Sequence, residues 1–145
     1  MKVLLDTNVL SELLHGKPHA QATVLAWAES VPLDLMYLSA ITVMEQEIGL
    51  LRLERRTPPE GAAMRRWWNA TRQLFADHIL SFSGKDAMLC APMHVPDKKD
   101  YRDSLIAATA IGHGLIVVTR NVADFSNMAG LKLYNPWEYT CANIA

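Results

Sequence analysis

Val3-Leu4-Leu5-Asp6-Thr7-Asn8 is the stretch that decides the fold class. Its apolar run is too short for a helix and partly β-branched, so residues 2–6 read as a buried strand. The strand ends in a carboxylate, and open α/β sheets place their ligand sites at the C-terminal tips of their strands. Acids recur in similar settings in the segments 41–49, 103–110 and 117–125. Several carboxylates in one cleft repel each other unless a cation sits between them. A divalent metal, with chemistry on phosphates, is the natural reading.

Outward from that strand, the pattern alternates. Asp6 or Thr7 can cap a short helix through about Leu14, ended by Gly16-Lys17-Pro18. Residues 19–29 read as helix and Leu35 to Leu38 as strand. Ser39 caps a long helix over 40–56, with Ile41, Met44, Ile48 and Leu51 on one apolar stripe. Thr57-Pro58-Pro59 breaks the chain, and a further helix runs to about Ala76. Ile79 to Phe82 is a third strand, 84–92 weakly helical, and 93–99 a loop. A helix over Asp100 to His113 stops at Gly114, followed by strands at Leu115 to Val118 and Leu131 to Tyr134. Strands alternating with helices imply βαβ units and a mostly parallel sheet of about five strands in a single α/β/α domain, residues 1–145.

The 145 residues suit one domain with a real core. Half are hydrophobic and 20% charged, and the formal net charge is -1. A general polycation is excluded, so nucleic-acid binding needs a local patch or bound metal. Cys90 and Cys141 form no CxxC pair, which argues against a disulfide framework or zinc site and for a reducing cytoplasm. The opening apolar run is too short for a signal peptide, and no apolar stretch reaches the roughly 20 residues that span a membrane.

Each acid also has an ordinary structural reading. Asp6 can be a helix cap. Asp103 stands in the first turn of a helix with a small apolar body, Leu105-Ile106-Ala107-Ala108-Thr109-Ala110, where the helix dipole favours an acid anyway. Asp124 follows Thr119-Arg120-Asn121, and turn chemistry explains Asn121 and Asp124 as well as metal binding does. Glu45 and Glu47 each lie about 80° from the centre of the apolar stripe, on opposite sides, so periodicity does not choose between them.

Taken jointly, these segments resemble the PIN-domain ribonucleases, and most closely toxins of the VapC/FitB type. The resemblance rests on Leu4-Leu5-Asp6-Thr7-Asn8-Val9-Leu10-Ser11-Glu12, on Leu38-Ser39-Ala40-Ile41-Thr42 with Glu45 and Gly49, and on Asp103 with Leu105 to Ala110. Val118-Thr119-Arg120-Asn121-Val122 with Asp124-Phe125, and the closing Asn135-Pro136-Trp137, complete it. The resemblance implies a PIN-like fold and a metal site of Asp6, Glu45, Asp103 and Asp124, and it selects Glu45 over Glu47. The last acid falls at either Asn121 or Asp124 in such proteins. It further implies an Mg²⁺-dependent endoribonuclease, with Mn²⁺ a possible substitute. Its role would be the toxin of a type II toxin–antitoxin pair, a homodimer with a small antitoxin that covers the active site and anchors the pair on operator DNA.

Rival readings are a PIN nuclease of RNA maturation or structured DNA, and a non-catalytic FitB-like module acting through an antitoxin–DNA complex. A haloacid-dehalogenase-like phosphatase wants a second Asp where this chain has Asn8.

The lead-in to Asp103, Val95 to Arg102, is more charged than the resemblance leads one to expect, and Asp100 is a possible outer or alternative ligand. Thr7, Asn8, Ser39 and Thr119 can orient water or phosphate, or serve as caps and turns. Arginines 52, 55, 56, 65, 66 and 72 can track an RNA backbone or form solvated helix faces. Trp67 and Trp68 cannot both point inward from one helix, leaving one to stack on a base or a partner. Four unpartnered acids should repel, so at least one should titrate high, and neutralising Asp6 or Asp103 should stabilise the metal-free fold.

Overall fold

The computed structural model describes residues 1–13 and 19–140. The Gly16-Lys17-Pro18 break expected after the first helix lies outside the described residues. Five strands form one all-parallel sheet: β1 (Val3–Leu5), β2 (Met36–Ser39), β3 (Ile79–Leu80), β4 (Ile116–Val118) and β5 (Lys132–Tyr134), in the order β3-β2-β1-β4-β5. The helices are α1 (Thr7–Glu12), α2 (Ala22–Ser30), α3 (Ala40–Arg56), α4 (Pro58–Leu74), α5 (Gly84–Cys90), α6 (Tyr101–His113) and α7 (Val122–Phe125).

Alternation along the strands sorts the side chains into two cores, because successive residues of a strand face opposite ways. Val3 and Leu5 join Val9, Leu10, Trp27, Leu38, Leu50, Trp68 and Val118 on one face. Leu4 and Val117 join Ile106, Ala107, Ala110 and Phe125 on the other. The alanines of α6 let its backbone lie close to the sheet. The result is three layers, α/β/α, with β1 in the middle of the sheet and the end of β1 at the centre of its C-terminal edge.

Local chemistry fixes the element ends. Ser39 accepts from Thr42 N at 3.0 Å and caps α3. Gly114 closes α6 at φ 67, a left-handed conformation that glycine adopts without steric cost. Several boundaries differ from the sequence reading. Residues 19–21 precede α2 rather than belonging to it, β3 is only Ile79–Leu80, and part of the expected loop after α5 is a 3₁₀ turn, Ala91–His94.

The largest departure is on α3. Met44, Ile48 and Leu51 face solvent, while Thr42 and Leu50 are the buried positions. The helix turns a different face to the sheet because it must also pack against α4, whose Trp68 is wholly buried in the same core as Leu50. Tertiary packing overrode the apolar period. Gly61 of α4 makes that packing possible: a Cβ there would stand 2.5 Å from Glu54 Cα on α3.

Candidate active site

Asp6 leaves β1 at the C-terminal edge and is completely buried. Its Oδ1 accepts from Thr7 N at 2.8 Å, so the ordinary capping reading holds as well. Its Oδ2 accepts from Thr119 Oγ1 at 2.8 Å and, at longer range, from Asn8 Nδ2 at 3.4 Å. Thr119 continues β4, the strand beside β1, so a neighbouring strand end locks the carboxylate in place. Thr119 Oγ1 in turn accepts from Asn121 N at 3.0 Å and from Asn8 Nδ2 at 3.3 Å.

Glu45 projects from α3 towards the same spot, where Thr7 Oγ1 donates to its Oε1 at 2.6 Å. Asp103 comes from the first turn of α6, which Asp100 caps by accepting from Asp103 N at 3.4 Å. Asp100 is thus the N-cap of α6.

The three acids meet around a residue that no sequence argument placed there. Arg102 gives a different guanidinium nitrogen to each of them: Nη2 to Asp6 Oδ1 at 2.5 Å, Nε to Glu45 Oε2 at 2.6 Å and Nη1 to Asp103 Oδ1 at 2.8 Å. Burial alone would lower the Arg102 pKa. The hydrogen bond to Glu45 and the charge of Asp6 outweigh it, and the guanidinium stays protonated beyond its ordinary range. Burial pushes the Asp103 carboxyl above the usual range, Arg102 pulls it back, and the charges of Asp100 and Asp124 push it further up. A raised acid is therefore present, but desolvation leads as its cause rather than repulsion. The premise of unpartnered acids is corrected: a cation is already in their midst, and it belongs to the chain. The available signal was a cation directly before Asp103 in an unusually charged lead-in.

Asp124 stands apart. It is exposed on α7 and shares no hydrogen bond or ion pair with Asp6, Glu45 or Asp103; it acts on Asp103 only through its charge. Asn121 reaches the site through its backbone N–H on Thr119. Glu47 points elsewhere. It pairs with Arg65 of α4 at 2.7 Å and accepts from Trp68 Nε1 at 3.2 Å, tying α3 to α4. Arg65 also holds Glu54 at 2.7 Å, so it is a helix-to-helix clamp rather than a free RNA contact. The hydrogen bond to Arg65 holds the Glu47 and Glu54 carboxyls below the usual range. Trp67 packs partly buried against the same core as Trp68, their rings stacked at 6.1 Å, so both tryptophans serve the interior. Ser39 acts as the α3 cap.

Among the described residues, no three His, Cys, Asp or Glu side chains are grouped so as to hold one ion as they stand. The donor set nevertheless fits a hard dication. It consists of carboxylate oxygens, Asp6 is an anion cut off from water, and the spot between the acids already holds positive charge.

A parallel α/β/α sheet gathers acids from three elements at the tip of its central strand, the edge where open α/β sheets place their ligand sites. A sequence profile of the PIN domain matches residues 3–131. The chain is 35% identical over 144 residues to VapC ribonuclease Y4jK of Sinorhizobium fredii, covering 94% of this chain and 98% of that protein. It is 36% identical over 140 residues to toxin FitB of Neisseria gonorrhoeae, covering 93% and 98%. The structure of FitAB bound to an IR36 DNA fragment superposes with a TM-score of 0.81 at 34% identity, over 95% of this chain and 97% of that one. The chain belongs to the PIN-domain family, among its VapC/FitB toxins.

Proposed function

We propose that the chain is a divalent-metal-dependent endoribonuclease and the toxin of a toxin–antitoxin pair, acting in the cytoplasm with residues 1–145 as one domain. The observation that carries the reading is the convergence of Asp6, Glu45 and Asp103, from β1, α3 and α6, on one cation-bearing point. These three would hold Mg²⁺ or Mn²⁺, with Asp124 contributing from α7 through its charge or after a local movement. When bound, such an ion supplies charge neutralisation at the phosphate and acidifies water. The chain's own groups do the rest. Thr119, Asn8 and the Thr7 N–H fix the Asp6 carboxylate. The Thr7 hydroxyl fixes Glu45. The RNA phosphodiester would then lie across the C-terminal edge of the sheet.

Partners follow from relatives and surface together. FitAB is a two-component complex seen on DNA, which supports a small antitoxin that would bring this chain to operator DNA. Met44, Ile48 and Leu51 present an apolar stripe on α3 beside Glu45, as expected of a face that a partner covers in an antitoxin complex or homodimer. Among the described residues no helix is long and apolar enough to cross a membrane.

The guanidinium standing where the three acids meet favours a second reading, a non-catalytic module that acts through an antitoxin–DNA complex. A cleavage assay separates the two. Purified protein on a mixed-sequence RNA should cut with Mg²⁺ or Mn²⁺ and stop in EDTA, while a folded Asp6→Asn protein should not cut. Absence of cutting by wild type at saturating metal would refute the nuclease reading, and undiminished cutting in EDTA would refute its dependence on metal.

A further inference from the structure

Among the described residues Arg102 is the one cation paired with these acids, and its geometry is specific. A single side chain meets three carboxylates that lie 96, 57 and 1 residues away in sequence, each on a separate nitrogen. Its Nη2 also lies 3.4 Å from Thr7 Oγ1, the hydroxyl that positions Glu45. The fork therefore fills the space that a shared dication would need, since an Mg²⁺ ion sits about 2.0–2.1 Å from its ligand oxygens. A guanidinium and a dication cannot occupy the same point. The Arg102 side chain is 32% exposed, so it has an open path outward from the first turn of α6.

We infer that Arg102 is a resident counter-ion that competes with the divalent cation: it holds Asp6, Glu45 and Asp103 in register without metal and leaves the centre when metal enters. This rests on the metal reading above. The chain then has two states of one centre, one closed by its own guanidinium and one loaded. Metal binding is an exchange, and its apparent affinity is weakened by the fraction of molecules in which Arg102 is seated. Arg102 is a positioning residue in the closed state and a barrier to loading.

The test is Mn²⁺ titration of the full chain, followed by calorimetry and by the loss of the free-ion paramagnetic resonance signal, for wild type, Arg102→Met, Arg102→Lys and Arg120→Met. Arg120 adjoins Thr119, but its guanidinium lies over the Trp137 ring, so its loss changes net charge equally without unseating the fork. If Arg102 is seated in about nine molecules of ten, Arg102→Met should tighten Mn²⁺ binding about tenfold. Arg102→Lys, which keeps the charge but replaces the three-nitrogen fork with a single nitrogen, should fall between it and wild type. Arg120→Met should stay within about twofold of wild type, a change small beside that seating effect. In EDTA, Arg102→Met should melt below wild type, and its gain on adding Mn²⁺ should be larger. Should Arg102→Met not fold without metal, the Lys variant decides alone, and it must also bind more tightly than wild type. Unchanged or weaker Mn²⁺ binding in the Arg102 variants, with wild type binding normally, overturns the competition and leaves the metal reading intact. Tightening in Arg120→Met as large as in Arg102→Met also overturns it, by showing a general charge effect. Folded proteins that bind no Mn²⁺ in any form overturn both.

Discussion

Asp6→Asn in the absence of metal should destabilise the fold. Repulsion among clustered acids argues the opposite sign, so the experiment weighs two electrostatic accounts. In the structure the carboxylate accepts at both oxygens: from Thr7 N and Arg102 on Oδ1, and from Thr119 Oγ1 and Asn8 Nδ2 on Oδ2. An asparagine amide accepts on one side only. Its NH₂ would face the Thr119 hydroxyl and the Asn8 amide, and Thr119 already accepts from Asn121 N. A buried donor left without a partner costs about 1–3 kcal/mol. Loss of the Asp6 charge also weakens the pair with Arg102, whose side chain is one-third exposed, so that share is set at about 1 kcal/mol or less. The expected loss is about 1–4 kcal/mol in total, which for a chain of this length lowers the melting temperature by about 3–15 °C. Urea and thermal unfolding in EDTA, with near-UV circular dichroism to confirm native packing, would measure it. A melting temperature equal to or above wild type would show that repulsion dominates and that Arg102 does not neutralise the centre.

Glu45→Gln should reduce RNA cleavage far more than Glu47→Gln, because only Glu45 reaches Asp6 and Asp103 through Arg102, whereas Glu47 holds Arg65 and Trp68; paired kinetics at fixed Mg²⁺ checks this, and equal losses would count against the assignment. Gly61→Ala should destabilise by about 1–3 kcal/mol despite the better helix propensity of alanine, since the new Cβ would lie 2.5 Å from the Glu54 backbone; denaturant melts would show a lower midpoint, and a stabilised variant would refute the close approach of α3 and α4. The Glu47 and Glu54 pKa values are lowered in the fold. The stability they contribute is thus present above the ordinary glutamate range of about 4.3 and lost as pH falls through their lower folded values. Arg65→Met should make the acid limb of a melting-temperature profile below that pH shallower, and an unchanged limb would refute the clamp.

Much of this protein was legible along the chain. Short apolar runs ended by turn residues marked the strand positions, because a run of three or four apolar residues bounded by breakers cannot make a helix. Ser39 and Gly114 announced helix ends, because capping is decided within a few residues. Asp6 was conspicuous for the same reason, an acid at the tip of a buried strand. Three things were not local, and neither periodicity nor spacing decided them; the family resemblance selected Glu45, and the tertiary structure shows where each group lands. The choice between Glu45 and Glu47 depended on how α3 is rotated against the sheet and α4, and periodicity pointed its apolar stripe at the wrong side; Met44, Ile48 and Leu51 face outward. The fate of the arginines depended on which acids fold next to them, so Arg65 became a clamp between helices. Arg102 reaches Asp6 across 96 residues of sequence, a contact that exists only once β1 and α6 share one edge of the sheet. Sequence determined which residues carry charge and which segments are strands or helices, since both follow from neighbouring residues. Which charges meet is set by packing, and packing is a property of the whole fold.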